Sequence, residues 1–471
     1  MGSRLFSDRT LLFLVVALSA ALLLPALFMD GMFMDGLIYT CVGKNLATGH
    51  GTFWDPYFSS TYMTSYHEQP PLLFGMLAVF FKIFGTSLYT ERIYCLFMCM
   101  LCFFALRMVW RALFNEGTEE RKLFWLPVLL FFTSPVTFYA YTNNVEEASM
   151  VVFALLSAGF QLKAIRSQGN GYGWFALGGV ALIASSMCKG AQGLFPLIIP
   201  VTWFIVVRNI SFRKAFWGNA IVVAVPALFY LGVALYEPAV NSYTAYYHDR
   251  IAATFEHEST ATTSNRFFLL YELLLDLLPA LTIAVLLSFA ARKITRAFRK
   301  EALFFFIVGL SGILPLMVTL EQRGFYLVTG LPFVTTALVL LTLDGAALVQ
   351  HSVAKKRGLR IALNSIAVLV AGGTLVATFL LAGTPKRDAD MLHDVALMGQ
   401  HCGAGTTITA DYSTWTTWSL QAYFMRYHDI SMAKPGAEMP FLVLARGTPA
   451  PEGYVPVDLP TRTYALYRAP H

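Results

Sequence analysis

A handful of acids and bases stand close to long apolar runs, and their types fit one kind of chemistry. Asp30 and Asp35 follow directly on the first apolar run, Leu11–Met29, and His67 and Glu68 precede the double proline Pro70–Pro71. The stretch NNVEE places Asn144, Glu146 and Glu147 where another apolar run begins, and a helix start favours carboxylates through its dipole. Lys189 stands between SSMC and GAQG, Arg250 in a long polar loop, and Arg323 and Tyr326 in EQRGFY. A carboxylate so placed can take the proton from an attacking hydroxyl. Cations can hold a phosphate and neutralise its charge as it leaves.

Each group also has a plainer reading. Asp30 can be a solvated charge at a membrane edge, and Lys189 can extend its ammonium to the interface. Of Glu146 and Glu147, one can serve only as a helix-start charge. Glu256, His257 and Glu258 are metal-ligand types, but neighbours on one flexible loop seldom make a metal site. No cofactor is evident from the sequence, and a divalent metal stays open. Asp35 and Glu68 are harder to set aside, because they stand at the two ends of one loop, each beside a short helix-forming stretch.

The elements that must position these groups are membrane helices. The chain is 56% hydrophobic and only 13% charged, against about 25% charged in soluble domains. Apolar runs recur at the length a helix needs to cross hydrocarbon. The net charge of +6 does not imply nucleic acid, because Lys and Arg fall in short clusters between apolar runs, as cytoplasmic loops require. Spans are expected near 11–29, 92–113, 123–141, 146–163, 174–188, 191–207, 215–236, 267–290, 302–320, 325–347 and 361–383. The first is expected to be an uncleaved helix with the N-terminus inside. This threading puts every basic cluster inside, provided that the short apolar segment Leu72–Gly85 does not cross. The expectation is therefore an all-α polytopic membrane protein of about eleven spans, with interfacial helices in the first outer loop, 30–70.

The tail changes character. Short β-like runs at Thr406–Ala410, Phe441–Ala445 and Tyr464–Arg468 alternate with Pro and Gly turns. Residues 1–384 then form the membrane domain and 385–471 a small extracytoplasmic α/β domain. Of six cysteines, only Cys41 and Cys402 are expected to face outward, and nothing in the sequence pairs them. The stretch GLIYTCVGKNLATGHG reads as a surface helix ended by Gly49 and Gly51. The threading gathers carboxylates and cations at the outer face, where nucleotide sugars are scarce. The usable sugar donor there is a lipid phosphate sugar.

The residues from Asp35 to Arg92 resemble the first outer loop of GT-C glycosyltransferases of the dolichyl-phosphate-mannose–protein mannosyltransferase and aminoarabinose transferase type, glycosyltransferase family 39-like. The shared pattern is Asp35, Tyr39 four residues on, Gly49, then Glu68, Pro70, Pro71 and Leu72, Phe84–Gly85 and Arg92. Asp30 lacks the tyrosine at that spacing, having Met34 instead. CKGAQGLFPL and RGFYLVTGLPF resemble later elements of the family more weakly. The resemblance implies transfer of a hexose or pentose from a polyprenyl-phosphate donor to a lipid, glycan or protein hydroxyl. Lipid A is one such acceptor, and the reaction would lie at the outer face of the inner, cytoplasmic membrane.

Asp35 is then the expected base and Glu68 its partner, with Tyr39, His67, Asn144, Glu147, Lys189, Arg250, Arg323 and Tyr326 binding substrate. Membrane lipids are the expected surroundings, nucleic acid is not an expected partner, and a monomer is expected. One departure matters: aminoarabinose transferases commonly carry Lys between the Glu and the prolines, and this chain has Gln69. Phosphate binding then falls to Lys189, Arg323 or Arg250. A lipid or solute transporter is the rival class, but it needs ionisable groups near mid-membrane. A scaffold with a partner-binding outer domain would need neither Asp35 nor Glu68.

Overall fold

The computed structural model describes residues 9–252 and 262–469. Glu256, His257 and Glu258 lie outside the described residues. Among the described residues, seven helical stretches are long and apolar enough to cross a membrane, or eight if the pair Leu331–Leu341 and Leu343–Lys355, bent by 73°, counts as one span. They are Thr10–Phe28, Thr90–Leu113, Glu146–Arg166, Tyr172–Val206, Phe212–Val233, Phe268–Ala291 and Arg357–Leu381.

Several expected runs are built from shorter pieces, and the reason is local. The run near 123–141 is two helices, Trp125–Phe132 and Pro135–Thr142. Pro135 cannot donate a backbone hydrogen bond, so the helix breaks in front of it. In hydrocarbon the backbone groups freed at such a break need partners. Asp276 supplies them: its Oδ1 accepts from the Val136 N–H at 2.9 Å, and its Oδ2 from the Ser134 hydroxyl. The stretch Tyr172–Val206 passes through a 3₁₀ segment, Gly190–Ile198. Gly193 packs against the backbone of Ser185, so the chain folds back on itself at Lys189–Gly190. The run near 302–320 is helical over Arg299–Ser311 and then 3₁₀ over Leu314–Val318.

The chain divides into two compact units, one of residues 1–25 and 95–380, the other of 26–94 and 381–471. The sequence alone suggests a boundary at 384–385. The contacts group the first loop with the C-terminal segment. In the larger unit, Tyr172–Lys189 packs on Glu146–Arg166 and on Phe212–Val233. Gly179 makes the second crossing close, because a Cβ there would stand 2.7 Å from Val225.

In the smaller unit, helix Met34–Ala47 packs on helix Leu72–Phe84 and on helix Trp418–His428. The close approach is at Gly43, where a Cβ would lie 2.5 Å from the Leu77 Cβ. Met34–Ala47 is therefore not the surface helix expected: Leu37, Tyr39, Cys41 and Val42 are buried. Cys41 is likewise not outward-facing, and its thiol donates to the Ala422 carbonyl at 3.3 Å. Local sequence could not show this, because the covering helix arrives almost 400 residues later. All six cysteines are free.

The C-terminal segment forms a five-stranded sheet of order β2-β1-β3-β5-β4, with β1 Thr407–Ala410, β2 Ser431–Ala433, β3 Phe441–Ala445, β4 Val455–Pro456 and β5 Tyr464–Arg468. β1 runs parallel to β2 and β3, while β5 is antiparallel to β3 and β4. The fully buried Asp394 accepts from the backbone N–H groups of Arg462, Thr463 and Tyr464 at 2.7–2.8 Å. That carboxylate fixes where β5 begins.

Candidate functional site

The smaller unit holds Asp35, Tyr39, His67 and Glu68. Asp35 stands in the first turn of Met34–Ala47, where the helix dipole favours an anion, and is half-buried. Tyr39, one turn on, is buried with its ring centroid 6.0 Å from that of Phe74. His67 Nε2 lies 3.2 Å from Asp55 Oδ1. Glu68, half-buried, stands just before the helix start at Leu72, which the double proline sets. That helix ends at Gly85, whose φ of +72° suits glycine.

Asp30 is not the solvated charge of the plainer reading. Its Oδ1 accepts from the Gly31 N–H and from the Tyr427 hydroxyl, both at 2.6 Å. The motif residue Arg92 is fully buried and donates to the Gly31 carbonyl at 3.2 Å. Asp30 and Arg92 thus hold the turn leading into Asp35.

The larger unit holds Asn144, Glu147, Lys189, Arg250, Arg323 and Tyr326. Four of its polar groups converge. The Lys189 ammonium donates to Glu146 Oε1 at 2.7 Å and to Glu147 Oε1, and stands 4.4 Å from the centre of the Tyr326 ring. Both glutamates are at most 1% exposed. Neither is only a helix-start charge, and Glu146, absent from the sequence-derived set, is as engaged as Glu147. Asn144, just before them, takes a left-handed φ of +50°, which asparagine tolerates. Its Oδ1 lies 3.7 Å from the Cys95 thiol. Arg250 pairs with Glu321 Oε1 at 3.0 Å. Arg323 differs from these cations: it is exposed, and while its carbonyl accepts from the Tyr326 N–H at 3.0 Å, its guanidinium makes no hydrogen bond or ion pair with the described residues.

Burial pushes the Tyr246 hydroxyl up to about 12, with the Glu146 charge adding to the effect. Tyr246 also stands over Gly190, where a Cβ would lie 2.5 Å from its hydroxyl. No motif marked Tyr246, whose place beside Gly190 depends on the fold-back there. Among the described residues, no group of three His, Cys, Asp or Glu side chains could hold a metal ion.

No family model matches the chain, and no curated protein matches it. Solved structures do. ArnT from Cupriavidus metallidurans in the apo state has a TM-score of 0.68 at 16% identity, covering 97% of each chain. The same protein bound to undecaprenyl phosphate gives 0.67 at 15%, covering 98% of this chain and 97% of that one. The Archaeoglobus fulgidus oligosaccharyltransferase in complex with Zn and sulfate gives 0.51 at 15%, covering 93% of this chain and 68% of that one. The polytopic helical architecture is common ground, and this chain, with its own small C-terminal sheet, has the GT-C fold of membrane glycosyltransferases.

Proposed function

We propose that the chain is an integral membrane glycosyltransferase that moves a sugar from a polyprenyl-phosphate-linked donor to an acceptor hydroxyl at the outer face of the cytoplasmic membrane. The observation that carries this reading is the fold shared along nearly the whole chain with a protein solved with undecaprenyl phosphate bound. In this reaction the acceptor oxygen attacks the anomeric carbon of the sugar. Asp35 takes the acceptor proton, and the bond from that carbon to the phosphate oxygen breaks. The lipid phosphate leaves with the bonding electrons. Glu68 helps to hold the acceptor hydroxyl.

Among the three candidate cations, Lys189 already faces two carboxylates and Arg250 is paired with Glu321. Arg323 is therefore the main phosphate ligand, with a planar fork that matches phosphate oxygens. Lys189 and Arg250 order the surrounding chain.

Binding of undecaprenyl phosphate to the purified full-length protein tests this. Arg323→Ala should weaken binding about tenfold or more, as loss of a charge-assisted contact does. Asp35→Asn should leave binding unchanged. Equal affinity for wild type and Arg323→Ala contradicts the assignment.

A further inference from the structure

We propose that Tyr62, Tyr412 and Trp418 of the smaller unit form a carbohydrate-binding shelf that seats a neutral pyranose ring of the acceptor. Its role as an acceptor subsite rests on the transferase reading above. Its existence as a sugar site does not.

The stretch DYSTWTTW (411–418) brings three large rings and four hydroxyl side chains into eight residues. The Tyr62 ring lies 4.9 Å from Trp418 and 5.3 Å, edge-on, from Trp415. Trp415 is 5.6 Å from Trp418 and 6.5 Å from Tyr412. Tyr62 is held in place from both sides. Ser59 Oγ accepts from its N–H and donates to its carbonyl, while Ser60 and Thr61 bond to Ser431 and Met432 at β2.

Two features separate this cluster from ordinary packing. Tyr412 is 72% exposed, so it adds little to a core. Beneath the shelf, the Trp415 Nε1–H and Gln421 Oε1 are buried with no hydrogen-bond partner among the described residues. Native interiors seldom leave such groups unpaired. A pyranose ring answers the first feature directly, and the second where the covering rings turn aside to admit its hydroxyls. One of its faces is a sheet of C–H bonds that packs on flat aromatic rings, and its edge carries hydroxyls that both donate and accept. Tyr and Trp supply this contact at low entropic cost. Asp411, whose Oδ2 accepts from the Ser413 hydroxyl at 2.5 Å, puts a negative group at the rim. Burial, and then the charge of Glu68, holds the Tyr62 hydroxyl above its ordinary range. Glu68 is thus within electrostatic reach of the shelf, and the two acids favour a neutral ring over an anionic one.

The experiment uses the full chain purified in detergent, applied to an array of immobilised neutral oligosaccharides with peptides and anionic glycans as controls. Wild type should bind a subset of the neutral glycans and no peptide. Trp418→Ala and Tyr412→Ala should each weaken binding about tenfold, as truncated aromatic anchors do, and Trp418→Phe should recover much of it. Tyr412→Ala alters an exposed ring and keeps the test valid if Trp418→Ala folds poorly. Binding to peptides alone, to no glycan, or unchanged by both alanine variants overturns the shelf. Trp418-dependent glycan binding by a chain that transfers no sugar supports the shelf and refutes the transferase reading. Sugar transfer with acceptor KM unchanged in both alanine variants refutes the shelf and leaves the transferase reading standing.

Discussion

Lys189 illustrates how far a single residue's role depends on what surrounds it. Read alone, it could reach for the interface. In the structure its side chain is 11% exposed and its ammonium is shared by two buried carboxylates. Removing it would leave those charges uncompensated, a change that typically costs about 3–5 kcal/mol. Loss of activity in a Lys189 variant would therefore not by itself identify a phosphate ligand, which is why Arg323 is the more telling position. His428 offers a test of the smaller unit. Burial, and then the positive charge of Lys44, holds its imidazole below the ordinary value, with Asp429 opposing. As pH falls through about 6.5, the unfolded chain takes up the proton before the folded one does. Stability from this residue is full above that value and declines below it. The unfolding temperature of wild type should drop more between about pH 7 and pH 5 than that of His428→Gln. Parallel melting curves from tryptophan fluorescence would contradict the assignment.

Among the elements, helix Leu72–Phe84 decides the topology. Thirteen residues reach about 20 Å, short of the roughly 30 Å of hydrocarbon. The chain on both sides of it bonds to one C-terminal stretch. Ser60 and Thr61, before it, meet Ser431 and Met432, while Thr86 and Ser87, after it, accept from the Arg426 guanidinium at 3.1 and 2.7 Å. Arg426 is in turn fixed by an ion pair with the buried Glu91 at 2.7 Å. A segment so tied at both ends should not cross. In a background without native cysteines, single cysteines at Ser65 and Ser87, both exposed, should react with an impermeant thiol reagent from the same, outer side. Protection of Ser87 until the cell is opened would mean that the segment crosses.

At the scale of the molecule, the sequence revealed most where local pattern governs. Apolar runs announce membrane helices, and three of the five strands are visible as short β-like runs between turns. The double proline marks one helix start. Groups joined across long separations were not legible. Asp276 satisfying the break at Pro135, Lys44 donating to the Met425 and Arg426 carbonyls, and Glu146 sharing Lys189 with Glu147 all depend on partners 42 to 382 residues away. No spacing rule reaches that far. The candidate base was legible for the opposite reason: Asp35, Tyr39, Glu68 and the prolines form a motif within one loop.

The claim at the centre is sugar transfer with Asp35 as base, and it can be read by mass spectrometry of surface glycans. The cells compared lack the gene or express wild type, Asp35→Asn or Asp30→Asn at equal levels. Asparagine at 30 keeps an oxygen for the Gly31 N–H and the Tyr427 hydroxyl, so that variant should work nearly normally. Asparagine at 35 keeps the shape but cannot take up the proton, and general-base assistance is worth about 10²–10⁴ in rate. A glycan heavier by one sugar is expected with wild type and Asp30→Asn, and its near absence with Asp35→Asn. The same product at wild-type level in Asp35→Asn, or no difference between cells with and without the gene, would contradict it.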